Sequence, residues 1–176
     1  MSLTSEKHKE EAPKRLTFAV ITVSSSRYQN QARGEKTVDV SGDLICELLK
    51  NANHDVKFRK IIPDDMLEIR KTLTDAIYEH KVDVVVFSGG TGVSKRDVTI
   101  EAVLPLFEKD IPGFGEIFRF LSFQEIGTAA IVTRAVAGIY RNTLIFCIPG
   151  SPQAVKLAVE KLILPEAPHI VKHAKE

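Results

Sequence analysis

The run Val82-Asp83-Val84-Val85-Val86-Phe87 passes directly into Ser88-Gly89-Gly90-Thr91-Gly92 and then into Val93-Ser94-Lys95-Arg96-Asp97. The first six residues are nearly all apolar and rich in β-branched side chains, as in a strand buried on both faces of a parallel sheet. The glycines that follow let the backbone turn tightly and let a ligand approach main-chain N–H groups. A small-residue loop leaving the carboxyl end of a buried strand is where open α/β sheets bind ligands. The stretch closes with two cations and a carboxylate. It reads as an anion-binding loop with a charged rim, suited to phosphate. The competing reading is a tight strand-to-helix connection with no ligand. The loop is neither a Walker A motif nor a Rossmann glycine triplet, since neither spacing is present.

Outward from this stretch, apolar and polar segments alternate. Leu16 to Val23 is a second buried strand, ending in Ser24-Ser25-Ser26. Tyr28 to Lys36 is polar, contains Gly34 and reads as a mobile loop. Val40, Leu44 and Leu48, with Ile45 and Leu49, mark a helix beginning near Thr37 to Ser41 and stopping at Asn51 to His54. Val56 to Ile62 is a third strand. Pro63-Asp64-Asp65 opens a helix with Ile69, Leu73 and Ile77 inward. Ile100, Val103, Leu104 and Phe107 sit at helical spacing before the break at Ile111-Pro112-Gly113, and Phe114 to Phe123 is helical again. Thr128 to Thr133 and Thr143 to Ile148 read as strands, with Arg134 to Asn142 a hairpin or added edge. Ser151 before Pro152 fits an N-cap with proline at the first helical position. Pro165 and Pro168 are expected to end that last helix. The alternation predicts a three-layer α/β/α sandwich with a mostly parallel central sheet.

The 176 residues suffice for one core, so a single domain is expected over 16–176, after a flexible polar tail over 1–15 that does not resemble a secretory signal. A formal net charge of +1 gives no electrostatic hint of nucleic acid. No apolar run approaches the length of a membrane helix. Cys46 and Cys147 each lie in an apolar segment and read as buried thiols of a reducing compartment, without the paired spacing of a thiolate zinc site. The expected location is the cytoplasm.

Three strand-to-helix loops meet at one edge of such a sheet: Ser24 to Ser26, Ser88 to Asp97, and Pro149 to Pro152. All are rich in small or hydroxylated residues, which supply the N–H and O–H donors that phosphate needs. Asp64 and Asp97 each precede a helical segment, where residue type alone favours helix capping. Two carboxylates beside a phosphate site can instead hold hydrated Mg2+. Lys95 and Arg96 read either as solvated charges or as phosphate partners at the rim. Ser122 is, by itself, an ordinary helical serine. The cluster Phe107, Phe114, Phe118, Phe120 and Phe123 cannot all face one small core, which leaves some for a subunit interface. His169 and His173 show no partner at ligand spacing and read as structural or surface residues.

The stretch Asp83 to Glu101, DVVVFSGGTGVSKRDVTIE, resembles the loop of the MogA and MoaB proteins of molybdenum cofactor biosynthesis and of the gephyrin G domain. Thr22-Val23-Ser24, Asp39-Val40-Ser41-Gly42, Ile62-Pro63-Asp64, Ile111-Pro112-Gly113-Phe114, Thr133-Arg134-Ala135 and Pro149-Gly150-Ser151-Pro152 match in family order. Leu104 to Thr128 is most similar to the MoaB branch. The resemblance implies a molybdopterin adenylyltransferase that joins AMP from Mg-ATP to the terminal phosphate of molybdopterin and releases pyrophosphate. By position it assigns Asp64 and Asp97 to magnesium and nucleotide positioning. It assigns Gly89, Gly90, Thr91, Gly92 and Ser94 to phosphate, Ser122 to the pterin, and Pro149, Gly150 and Ser151 to a second binding loop. It further implies a homotrimer or homohexamer working with other molybdenum cofactor biosynthesis proteins. Two positions differ from the pattern: Ser25 stands where many members have aspartate, and Ile100 where proline is frequent. Lys95-Arg96-Asp97 is retained, which favours an active enzyme. The alternatives are an inactive MoaB-like pterin-binding or scaffold protein, or another phosphoryl-transfer enzyme on the same sheet edge.

Overall fold

The computed structural model describes residues 13–176. Of the expected tail, residues 1–12 lie outside the described residues, and Arg15 donates to Asp55 at 2.6 Å. The strands are β1 (Thr17–Val23), β2 (Asp55–Ile62), β3 (Val84–Ser88), β4 (Lys109–Asp110), β5 (Val136–Tyr140) and β6 (Thr143–Ile148). They form one sheet in the order β2-β1-β3-β6-β5-β4. The β1–β2, β1–β3 and β3–β6 pairs are parallel, whereas β5 and β4 add an antiparallel edge. The mostly parallel sheet follows from the fully buried apolar runs of β3 and β6, which need cover on both faces.

That cover comes from seven α-helices among the described residues: α1 (Ser25–Ala32), α2 (Val40–Asn51), α3 (Met66–Tyr78), α4 (Thr99–Val103), α5 (Pro112–Ile126), α6 (Pro152–Ala158) and α7 (Leu164–Lys175). On one face Ile45 and Leu49 of α2, Phe114 and Phe118 of α5, Val155 of α6 and Val171 of α7 pack on Phe18, Val20, Val84, Val86 and Phe146. On the other, Ile69, Leu73 and Ile77 of α3 and Val103 of α4 pack on Ile21, Val85, Phe87 and Ile145. Alternate residues of each strand thus enter opposite cores, which makes the three layers. Cys46 and Cys147 are buried and free, and burial pushes the Cys147 thiol far above its ordinary range.

Four local expectations are corrected. Residues 25–32, read partly as loop, form α1, capped by Ser24, whose hydroxyl accepts from Arg27 N. Thr128 to Thr133 is not a strand, because Gly127–Val132 coils into a 3-10 segment with Ile131 80% exposed. The segment over Ile100 to Phe107 leaves the α-helix after Val103 for a 3-10 turn (Leu104–Leu106), and Phe107 folds against Gly138, where a Cβ would lie 2.3 Å from its ring. Pro165 and Pro168 do not end the last helix. A π turn (Val159–Ile163) joins α6 to α7, and the helix runs on to Lys175. Burial of Ile163, Ala167 and Val171 outweighs the two N–H groups the prolines remove.

Candidate active site at the carboxyl edge of the sheet

The carboxyl ends of β1, β3 and β6 lie side by side, with Thr22 opposite Ser88 and Ser88 opposite Ile148. Their three loops are pressed together by glycine. A Cβ on Gly89 would lie 2.4 Å from the Val23 carbonyl oxygen, and one on Gly150 would lie 3.2 Å from Gly89 Cα. Gly89 and Gly90 take φ of +102° and +61°, the region that β-carbons disfavour. Thr99 closes the loop from behind, its hydroxyl donating to Gly89 O at 2.8 Å and its N–H to Gly90 O at 2.9 Å. The N–H groups of Gly90, Thr91 and Gly92 meet no protein acceptor among the described residues. A turn that leaves successive amides unengaged in this way is an anion cradle.

Both aspartates stand against that cradle. Asp64 Oδ2 accepts from Ser25 N at 2.8 Å and Ser25 Oγ at 2.7 Å. Its Oδ1 lies 2.9 Å from where a Gly90 Cβ would be. The Asp97 carboxylate lies as near as 3.0 Å to the corresponding point on Gly92, and its Oδ2 accepts from Ser94 N at 3.1 Å. Neither is a helix cap. Asp65, not Asp64, caps α3 by accepting from Glu68 N, and the cap position of α4 is Val98. Capping, the commoner use of the residue type, is therefore set aside for both. The two carboxylates flank glycines two positions apart, whose Cα atoms are within about 7.6 Å.

Arg134 and Glu101 complete the support, and sequence reasoning missed their part in it. Arg134 Nε donates to Thr91 O at 2.8 Å, and its NH1 and NH2 donate to the two Glu101 oxygens at 2.6 and 3.2 Å. The Arg134 hydrogen bonds hold the Glu101 carboxyl below its usual range. Lys95 and Arg96 are exposed on the turn between Ser94 and Asp97, at the rim as expected. Ser88 Oγ, fully buried at the end of β3, has no hydrogen-bond partner among the described residues, leaving core polarity unmatched beneath the loop.

The remaining expected residues gather one step along the edge. Ser122, Pro149 and Ser151 line a cavity of about 100 Å³ together with Thr133 and Glu125. Ser151 caps α6, its Oγ accepting from Ala154 N at 3.3 Å, and Ser41 ties the loop down by donating to Gly150 O at 2.6 Å. Ser122 Oγ donates to Phe118 O at 2.8 Å, the bond of an ordinary helical serine, while its side chain borders the cavity. The predicted residues thus form two adjoining halves hinged on Gly150 against Gly89.

Residues 19–169 match the family described as "Probable molybdopterin binding domain". The chain belongs to that family. Among curated members it is 42% identical over 175 residues to molybdenum cofactor biosynthesis protein B of Bacillus subtilis, covering 99% of each chain. It is 47% identical to the molybdopterin adenylyltransferase of Pyrococcus furiosus, over 97% of this chain and 98% of that one. The crystal structure of the tungsten cofactor synthesizing protein MoaB from Pyrococcus furiosus superposes with a TM-score of 0.83 at 46% identity, covering 94% of this chain and 100% of that one. The family match and the superposed structure bear out the fold class and the family resemblance.

Proposed function

We propose that this chain is a molybdopterin adenylyltransferase of molybdenum cofactor biosynthesis. The observation that carries the reading is the pairing of unengaged amides at Gly90 to Gly92 with the Asp64 and Asp97 carboxylates. Relatives named for that activity are 40% and 47% identical over nearly the whole chain.

The reaction brings two anions together. An oxygen of the terminal phosphate of molybdopterin attacks the α-phosphorus of ATP, a new P–O bond forms, the bond to the β-phosphate bridge breaks, and pyrophosphate leaves. The amides of the glycine loop bind the nucleotide phosphates, with Ser94 and the Lys95 and Arg96 side chains at the rim balancing charge. At the end of β1 the Ser24 hydroxyl extends the donor set, while Ser25 gives both its donors to Asp64 and acts through that carboxylate. Ser122, Pro149, Gly150 and Ser151 receive the pterin in the adjoining cavity. Holding both substrates in one crevice supplies orientation and offsets repulsion, the main tasks in phosphoryl transfer.

Asp64 and Asp97 suit Mg2+: they are hard oxygen donors, only two, beside a phosphate cradle, and no group of three or more metal-binding side chains occurs among the described residues. When bound, Mg2+ neutralises polyphosphate charge and stabilises the departing pyrophosphate. Asp64 and Asp97 hold and orient; neither is assigned a proton.

The outer face of α5 and the following turn expose Ile117, Phe120, Phe123, Ile126, Ile131 and Val132, while Phe114 and Phe118 are buried. This apolar surface supports a homotrimer or homohexamer. No helix among the described residues is long and apolar enough to cross a membrane. We assign the reaction to the cytoplasm, with other cofactor-biosynthesis proteins delivering and accepting the pterin.

The test combines protein, Mg-ATP and molybdopterin and measures pyrophosphate. One pyrophosphate per adenylylated pterin is expected, and Asp97→Ala abolishes it. Pterin binding without pyrophosphate, and without nucleotide binding by calorimetry, contradicts the reading in favour of a carrier.

A further inference from the structure

His169 and His173 occupy adjacent turns of α7, four residues apart, and the structure corrects the expectation that they lack a partner at ligand spacing. Their Nε2 atoms face each other at 3.1 Å. His169 Nδ1 lies 3.3 Å from Glu166 Oε2, and His173 Nδ1 lies 3.0 Å from Glu176 Oε2.

The chemistry of these contacts is restrictive. A carboxylate only accepts, so each Nδ1 must carry its proton to make these bonds. With its proton on Nδ1, a ring can offer the Nε2 lone pair to a cation. At 3.1 Å either a proton or a metal ion between the two Nε2 atoms turns their approach into an attraction. A metal ion at Zn–N distances of about 2.0–2.1 Å from both atoms would subtend roughly 95–100° at this separation, a cis angle between octahedral and tetrahedral values. A ring whose other nitrogen donates to a carboxylate is the usual setting of a metal-bound histidine, since the carboxylate fixes the tautomer and raises ligand basicity.

We propose that His169 and His173 form a site for a divalent first-row transition metal, bound through the two Nε2 atoms and oriented by Glu166 and Glu176. Imidazole pairs suit Zn2+, Cu2+ and Ni2+ and not the hard ions that carboxylates take. No third His, Cys, Asp or Glu completes the set among the described residues. The rings are reachable, with side chains 25% and 43% exposed. The location separates this site from the adenylyl-transfer edge. His169 lines a cleft with Pro13, Ala52, His54 and Pro168 near the amino ends of β1 and β2, and Lys175 of the same helix donates to Asp83 just before β3.

The test titrates the metal-free, untagged chain with Cu2+ and follows binding by calorimetry and electron paramagnetic resonance. One Cu2+ per chain at this site, with hyperfine structure from two imidazole nitrogens, is expected. His169→Gln and His173→Gln should each lose the two-nitrogen signal. Glu166→Gln should keep it with about tenfold weaker affinity, the lower end of the usual loss for a residue orienting a ligand. Melting in EDTA checks that each variant folds, and Glu166→Gln reads the site without removing a ring. Absence of stoichiometric Cu2+ binding would show that the rings share only a proton and overturns the proposal, as does a two-nitrogen signal that survives both histidine substitutions.

Discussion

Ser25 and Asp64 hold each other reciprocally: the serine N–H and hydroxyl both donate to Asp64 Oδ2, and the Asp64 N–H donates back to Ser25 Oγ at 3.0 Å. Ser25, where the family resemblance leads one to expect aspartate, is therefore employed in aiming a carboxylate. Oδ2 is turned toward β1, leaving Oδ1 beside Gly90. Ser25→Ala keeps the backbone donor and deletes the hydroxyl contacts. Loss of a hydrogen bond to a charged group costs about 1.5–3 kcal/mol. Pyrophosphate release should fall roughly tenfold or more, with a higher Mg2+ requirement, read from initial rates over a magnesium titration.

Gly90 has no room for a side chain. Its φ is +61°, and a Cβ would lie 2.4 Å from Thr99 Oγ1. The left-handed backbone alone costs alanine about 1–2 kcal/mol. Gly90→Ala should lower the melting temperature and abolish nucleotide binding by calorimetry, whereas Gly113→Ala, with open space around its missing Cβ, should not abolish it.

Arg134 reaches Thr91 O and Glu101 from the far side of the loop. Lysine cannot make both contacts, since it lacks the planar fork. Both partners are partly exposed, so the ion pair adds at most about 1 kcal/mol to stability. Arg134→Lys should therefore leave melting nearly unchanged and raise the KM for ATP several-fold, measured by steady-state pyrophosphate release.

His54 gives the fold a defined response to acid. It is buried, its Nδ1 accepts from Leu16 N at 3.2 Å, and burial pushes its pKa below the ordinary value, with Asp55 partly opposing. The unfolded chain then binds a proton that the folded chain resists. Stability contributed by neutral His54 is complete above about pH 6.5, falls as pH drops from there toward the folded pKa, and levels off below it. The slope within that window is up to about 1.4 kcal/mol per pH unit. Urea midpoints between pH 7.5 and 5 should fall more steeply for the native chain than for His54→Asn.

The exposed apolar face of α5 gives the remaining prediction. Phe120 is 61% exposed, so Phe120→Glu removes no core packing. Light scattering should report a smaller particle for this variant than for the native chain. A native monomer at micromolar concentration contradicts the proposed trimer or hexamer.

Much of this architecture is legible in the sequence because its signals are local. The short, β-branched apolar runs of β1, β3 and β6 read as strands, and the glycines after β3 point to a candidate ligand edge. The misread parts depend on distant neighbours. α1 buries no residue, so it has no apolar stripe to reveal it, and only Ser24 at its cap hints at a helix. Pro165 and Pro168 are breakers by residue type, yet the core burial of α7 overrides them. Asp64 lies one residue from a true cap, and only the contact with Ser25, 39 positions away, tells the two aspartates apart. Arg134 and Thr99 carry no chemistry of their own and become visible only when the loop they brace has folded.

A crystal structure with Mg2+ and a non-hydrolysable ATP analogue tests the central claim most directly. The account predicts the triphosphate on the amides of Gly90 to Gly92, with the ion between it and the carboxylates of Asp64 and Asp97. A triphosphate bound elsewhere, with Gly90 and Asp97 untouched, would contradict it.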